Sequence, residues 1–394
     1  MTAVSSFPYE RRSPLQWLRV NLFSTWYNSL LTVVGLYLIY VLGSGLLGWV
    51  FVDAQWRVIE ANFRLLIVGQ YPPAQFWRLW IGLSFFAFLI GASLAIWGRS
   101  VWLRVVLFLA PPALGIFPFS WSARAHLLGL SLIGLLAWLL GRRDSQQVRR
   151  LVLVGWVTAF PIFILLVAGL SDEAGVVPLV PSNFWGGLLL TFLLTVVGIL
   201  FSFPLGVFLA LGRQSRLPMV RWFSIVYIEF VRGVPLVTIL FMSQLMLPLF
   251  LPAGFSIDRV LRAMAGIVLF SAAYLAENVR GGLQAIPRGQ YEAAYALGLN
   301  GFQTMAFVIL PQALRLVIPI LVGQFIALFK DTSLVAVVGL LDLLGIAKTV
   351  LAQPAFIGLQ REVYVFISLI YWVFSYIMSF VSQKLEEYVG LGKR

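Results

Sequence analysis

Two glutamate–arginine spacings are the first candidates for chemistry in this chain: Glu229 with Arg232 and Glu277 with Arg280, each three residues apart inside or beside a long apolar run. On a helix such a pair shares one face and can neutralise itself. A lone charge in hydrocarbon costs at least about 2.5 to 3.5 kcal/mol, so pairing near a helix end is a sufficient structural reason for both. Direct contact with a zwitterionic solute is the alternative use of the same groups. Gly233 and Pro235 follow at once, and together they break a helix and direct free backbone groups inward. Transporters use that device for carboxylates, and close helix packing is the equal alternative. Thr191, Thr195, Gln244, Ser271 and Gln324 bring hydrogen-bonding capacity into other apolar stretches. They are candidates for lining a solute path, or for joining helices.

Other chemistries are poorly supplied. There is no cysteine, which excludes disulfides, thiol catalysis and cysteinyl metal sites. The single histidine, His126, argues against a His-ligated metal centre or a serine triad but leaves an all-carboxylate site open. With no acidic cluster beside it, His126 reads as a peripheral or interfacial residue, and no metal site is assigned.

The elements that must hold these groups follow from composition. The chain has 394 residues, 61% hydrophobic and only 11% charged, where soluble domains run near ~25% charged. Mean hydropathy is +0.94. An all-α polytopic membrane protein of about ten spans, with a range of about eight to ten, is the class that fits. Apolar runs fall near 28–52, 78–98, 101–119, 125–141, 149–170, 184–212, 219–249, 261–282, 305–329 and 363–387. Arg104, Pro111 and Pro112 interrupt the 101–119 run.

The formal charge of +13 sits in small groups at the ends of those runs, the pattern of loops anchored against anionic lipid rather than of a nucleic-acid surface. Placing Arg99, Arg142, Arg143, Arg149, Arg150, Arg213, Arg216, Arg221, Arg280, Arg288, Lys384, Lys393 and Arg394 inside puts both termini in the cytoplasm. Asp172, Glu173 and Asp258 then lie outside. The 53–77 loop is neutral, with Arg57 and Arg64 against Asp53 and Glu60. Residues 1–27 carry Pro8, Arg11, Arg12, Pro14 and Arg19, and no small-residue cleavage pattern closes the first apolar run. They read as a cytoplasmic lead to an uncleaved span. A Trp-rich accessory region over 28–175 is then followed by a working core over 180–390, where Pro204, Pro319 and Lys330 join the charged and glycine positions above.

Within that core, Glu292, Ala293 and Ala294 favour a helix, Gly298 and Asn300 permit a sharp exit, and Pro311 sits near the first turn of the next span. Taken alone, this is a compact cytoplasmic knob or an ordinary loop. The stretch resembles the EAA loop of ABC-importer permeases: Glu-Ala-Ala, three residues, Gly, nine residues, an aliphatic residue, one more, then Leu-Pro. Glu292, Gly298, Val308, Leu310 and Pro311 are all in register.

Further matches resemble the polar amino-acid uptake permeases. They are Tyr227 to Pro235, Ala273 to Gly282, Gly289-Gln290-Tyr291 and Lys330 to Leu334, within a five-span module covering about 184–390. The extra N-terminal spans, Trp56 and Gly69-Gln70-Tyr71-Pro72 make the chain similar to M-type permeases of general L-amino-acid importers.

The resemblance implies a type I importer permease core whose loop at 289–311 couples to ATPase subunits through Glu292, Ala293, Ala294, Gly298, Leu299 and Pro311. It implies two permeases forming a heterodimer, two ATPase subunits and a periplasmic solute-binding protein in the inner membrane, with L-amino acids as substrates. No Walker-A sequence occurs, so ATP and Mg belong to the partners and this chain needs no cofactor of its own. A permease for another small polar solute is the nearest alternative. A secondary transporter would need an ion-coupling site and typically an internal repeat, neither of which is apparent.

Overall fold

Lipid offers the backbone no hydrogen-bond partner, so a chain this apolar must close its bonds within helices. In the computed structural model every regular element among the described residues is helical. Described are residues 13–98, 101–115, 120–142, 145–170, 175, 177–252 and 254–389. Pro8, Arg11, Arg12, Arg99, Arg143, Asp172, Glu173, Lys393 and Arg394 lie outside them. Among the described residues, eight helices are long and apolar enough to cross a membrane, or nine if a bent pair counts as one span.

The chain divides into two compact units, 1–57 and 58–394. In the first, α1 (Pro14–Asn21) begins with a reciprocal capping box between Ser13 and Gln16. Then α2 (Trp26–Gly48) runs on into a π-helical turn at Trp49–Asp53, where the Trp56 indole N–H donates to the Val50 carbonyl at 2.9 Å.

The second unit opens with α3 (Arg57–Val68) inside the stretch expected to be a loop. Val58, Ile59, Asn62 and Leu66 form its buried face. Next come α4 (Phe76–Ile96), α5 (Val101–Leu114), α6 (Trp121–Gly141) and α7 (Gln146–Ala168). At 14 residues, α5 reaches only about 21 Å, short of a ~30 Å hydrocarbon core. It nonetheless runs antiparallel beside α6, with the Arg104 guanidinium over the Trp138 ring at one end and Gly115 beside Arg124 at the other, so the chain changes ends along α5 as the 101–119 run predicts. Hydrocarbon gives helices little reason to associate except close packing. Small residues supply it where α4 meets α6, since a Cβ on Gly91 would lie 2.2 Å from the Gly134 carbonyl oxygen.

The remaining elements are α8 (Gly187–Arg213), α9 (Pro218–Arg232), α10 (Leu236–Phe241), α11 (Arg259–Gln284), α12 (Arg288–Ala296), α13 (Gly301–Gln303), α14 (Leu310–Asp331), α15 (Leu343–Leu351) and α16 (Gln360–Val389). The helices α8 and α11 pack along each other, and α14 and α16 close the group. One apolar core joins Tyr71, Leu79, Phe160 and Val167 to Leu190, Leu194, Ile267 and Leu328. A second core, of Leu209, Ile228, Val279, Leu283, Ile309 and Ala313, lies beneath α12.

The ends of the core differ. At one, Gly69 bridges Trp185 and Gly187 bridges Asp342, a backbone seam of three segments. The Tyr71 hydroxyl donates to the Val167 carbonyl at 3.0 Å, and the buried Arg78 to the Pro178 carbonyl at 2.8 Å. Asn62 accepts from Gln353 at 3.3 Å and the Phe63 ring meets Phe366 edge-on, so α3 is held to the 353–366 stretch beside the seam. At the opposite end stand Arg213, Gln284 and α12. The 219–249 run is not one straight span: α9 and the helix from Leu236 to Phe250 meet at 107°.

Candidate functional site

The 289–311 segment builds a knob. Pro287 precedes α12, Ala294 is its buried residue, and Tyr291 packs against the second core. At the C-terminus the Leu299 N–H donates to the Ala294 carbonyl at 3.2 Å and the Gly298 N–H to the Tyr295 carbonyl at 2.9 Å. This pair of bonds is a Schellman cap, and it needs a left-handed residue at Gly298, where φ is +78°. The Ala-Ala-x-x-x-Gly spacing thus has a geometric cause: Ala294 supplies the carbonyl and the glycine supplies the turn.

The next helix starts at once, with a capping box between Asn300 and Gln303. Glu292 and Ala293 are exposed. So are the apolar side chains of Tyr295, Leu297 and Phe302, at 52, 81 and 78%. Pro311 lies in the first turn of α14, as expected, although the helical rod as a whole already begins at Gly301 and continues to Val338. A π-helical turn at Thr304–Ile309 immediately precedes and accommodates the missing N–H.

Above the knob, three helices meet through charge. Glu277 accepts from Arg280 Nε at 3.0 Å on both carboxylate oxygens and also pairs with Arg280 Nη2. Arg213 Nη1 lies 2.9 Å from Glu229 and 3.4 Å from Glu277, and Arg232 Nη1 is 3.7 Å from Glu277. The Arg232 guanidinium also stands 5.7 Å from the Tyr274 ring centroid. The i,i+3 pairing expected for Glu277 and Arg280 is present. That expected for Glu229 and Arg232 is not, because α8 brings Arg213 to Glu229 while α11 presents Glu277 to Arg232.

Helix α9 does break at Gly233, but its last N–H groups are not free. The Gly233 N–H bonds the Glu229 and Phe230 carbonyls at 3.0 and 3.1 Å, and the Val234 N–H bonds the Val231 carbonyl at 3.3 Å. Pro235 then caps α10. Three of the five polar candidates within the spans are also bonded to backbone. Thr191 donates to the Gly187 carbonyl at 3.2 Å and accepts from the Leu343 N–H at 3.2 Å. Thr195 donates to the Thr191 carbonyl at 2.7 Å, and Gln244 to the Arg259 carbonyl at 2.6 Å. Ser271 is buried and Gln324 half-buried. Thr191 and Gln244 therefore tie neighbouring segments together, Thr195 bonds only within α8, and none of these bonds reaches the charge cluster.

Two participants were not picked out as site residues. Arg213 carries no local signal, since its partner Glu277 is 64 residues away. Asp342 is fully buried and caps α15 by accepting from the Leu344 and Gly345 N–H groups at 3.2 and 3.0 Å. Burial pushes its carboxyl up to about 7, against the lowering effect of those N–H bonds, the Tyr371 hydroxyl and Lys348. An aspartate directly before Leu343 and three residues before Gly345 was the readable cap signal.

Among the described residues, an all-helical multi-span bundle with an exposed helix–turn–helix knob is the architecture of a polytopic membrane protein. Residues 202–389 match the family described as "Binding-protein-dependent transport system inner membrane component". The chain is 40% identical to the inner membrane amino-acid ABC transporter permease protein YhdY of Escherichia coli K12, over 96% of this chain and 93% of that one. It is 38% identical to the glutamate/glutamine/aspartate/asparagine transport system permease protein BztC of Rhodobacter capsulatus, over 98% and 96%. A solved amino acid ABC transporter crystallised with histidines is 31% identical over 51% of this chain and 91% of that chain, with a TM-score of 0.46.

The chain belongs to the amino-acid ABC transporter permeases. It is a multi-span component of a binding-protein-dependent importer, and partner subunits hydrolyse the ATP.

Proposed function

We propose that this chain is the M-type permease of a general L-amino-acid importer, pairing with a homologous but distinct permease to form the path. Two ATPase subunits bind ATP and Mg, and a solute-binding protein delivers the amino acid from the periplasm. In this arrangement both termini and the α12 knob face the cytoplasm, the seam of Gly69, Trp185, Gly187 and Asp342 faces the periplasm, and lipid covers the apolar exterior. The carrying observation is the knob: a rigidly capped helix that leaves Tyr295, Leu297 and Phe302 exposed, ready to dock in a cleft of an ATPase subunit. The relatives support the substrate class, since BztC is a permease for glutamate, glutamine, aspartate and asparagine.

Purification of the intact complex, with mass identification of every subunit, is the test, followed by binding-protein-dependent uptake of an amino-acid panel in proteoliposomes. Two different permeases, an ATPase and uptake of several amino acids are expected. A complex with one permease species, or one that moves no amino acid, would overturn the reading.

A further inference from the structure

Three arginines from three helices converge on one carboxylate. Glu277 takes Arg280 from its own helix α11, Arg213 from the end of α8 and Arg232 from the end of α9, and Arg213 also holds Glu229 of α9. These side chains are a quarter to a half exposed, so each pair alone contributes little. What the cluster supplies is connectivity. On one side, α11 continues from Arg280 to Gln284 and passes within four residues into α12, the knob. On the other, Arg232 is followed at once by the break at Gly233 and the 107° bend into α10. Removing Glu277 would leave three guanidinium groups facing one remaining carboxylate, and like charges at this range separate helices that opposite charges hold together.

We propose that Glu277 is a positioning residue that makes α8, α9 and α11 move as one body, so that displacement of the coupling knob reaches the bend at Gly233. This rests on the reading of the chain as a coupled permease. A pairing that served only to carry charge into the membrane would matter for insertion and assembly alone. A hub for movement also sets how much transport each ATP yields.

The test uses the full complex with its ATPase and binding protein in proteoliposomes. Glu277→Gln preserves shape and removes charge. With parental subunit stoichiometry, amino acid imported per ATP hydrolysed falls at least about five-fold, and Glu277→Asp recovers part of that loss. A Glu277→Gln complex that assembles and keeps the parental ratio overturns the proposal. Should that variant fail to assemble, the double variant Arg213→Gln/Glu229→Gln decides. It frees α8 at unchanged net charge, and the same fall in import per ATP is expected, whereas the parental ratio again overturns the hub. A parental complex that imports no amino acid refutes the importer reading instead, whatever the variants do.

Discussion

Arg232 illustrates how a side chain can be read correctly by type and wrongly by partner. Its charge is balanced by Glu277 across a helix–helix contact and it stands over the Tyr274 ring, from which we propose that its loss loosens the exit of α9 rather than emptying a solute pocket. Arg232→Gln should lower uptake of every amino acid by roughly two- to five-fold, with the order of preference unchanged in a substrate panel. Selective loss of acidic substrates in a normally assembled complex would move Arg232 into the selectivity site.

Asp342 makes a prediction of the opposite kind, about pH. Its folded carboxyl titrates near 7 and its unfolded one near 3.8, so between those values the folded state holds more protons. The contribution to stability is therefore fully present below 3.8 and is lost as pH rises through about 7. Asp342→Asn keeps one acceptor oxygen for the Gly345 N–H, gives up the Leu344 bond to the second oxygen, and removes the titration. Thermal unfolding of the purified permease should then lose stability less steeply between pH 5 and 8 than the parent. Parallel parent and variant profiles would refute this.

At the scale of elements, legibility followed distance along the chain. The short helix and sharp turn of the α12 knob were readable because a Schellman cap and a capping box are each closed within a few consecutive residues, Ala294 to Leu299 and Asn300 to Gln303, whereas only the resemblance separated a coupling loop from an ordinary one. The charge cluster was half readable: Glu277 and Arg280 share a turn, whereas Arg213 arrives from another span. In α3, apolar positions Val58, Ile59 and Leu66 do share a helical face, but Arg57, Glu60 and Arg64 between them hid the period in what looked like a neutral loop. The knob also yields the sharpest element-level test. No atom crowds Gly298, so a side chain there meets only its left-handed backbone, a strain of about 1–3 kcal/mol for a β-branched residue. Gly298→Val should leave the spans intact yet reduce binding-protein-stimulated ATP hydrolysis about five-fold or more. Normal stimulation in a fully assembled complex would refute the coupling assignment.

For the whole molecule, span count and orientation test one another. The bent α9–α10 pair and the short α5 each still carry the chain between opposite ends of their neighbours, so neither changes the parity on which the proposed frame depends. In that frame Gln147, at the start of α7, is cytoplasmic and Gly175, beyond its end, is periplasmic. The chain has no native cysteine, so Gln147→Cys and Gly175→Cys can be probed singly. An impermeant thiol reagent applied to intact spheroplasts should label position 175 and spare 147, and the reverse result would invert the frame.

The attachment of α3 beside the seam has a further consequence for biosynthesis. Asn62 and its partner Gln353 are separated by 291 residues, so on a ribosome adding about 5–20 residues per second the partner follows roughly 15 to 60 s later. Throughout that interval the apolar face of Val58, Ile59 and Leu66 has left the ribosome without the late helices against which part of α3 finally rests. The nascent chain must be sheltered there, by lipid headgroups or an insertion factor, until its last span arrives.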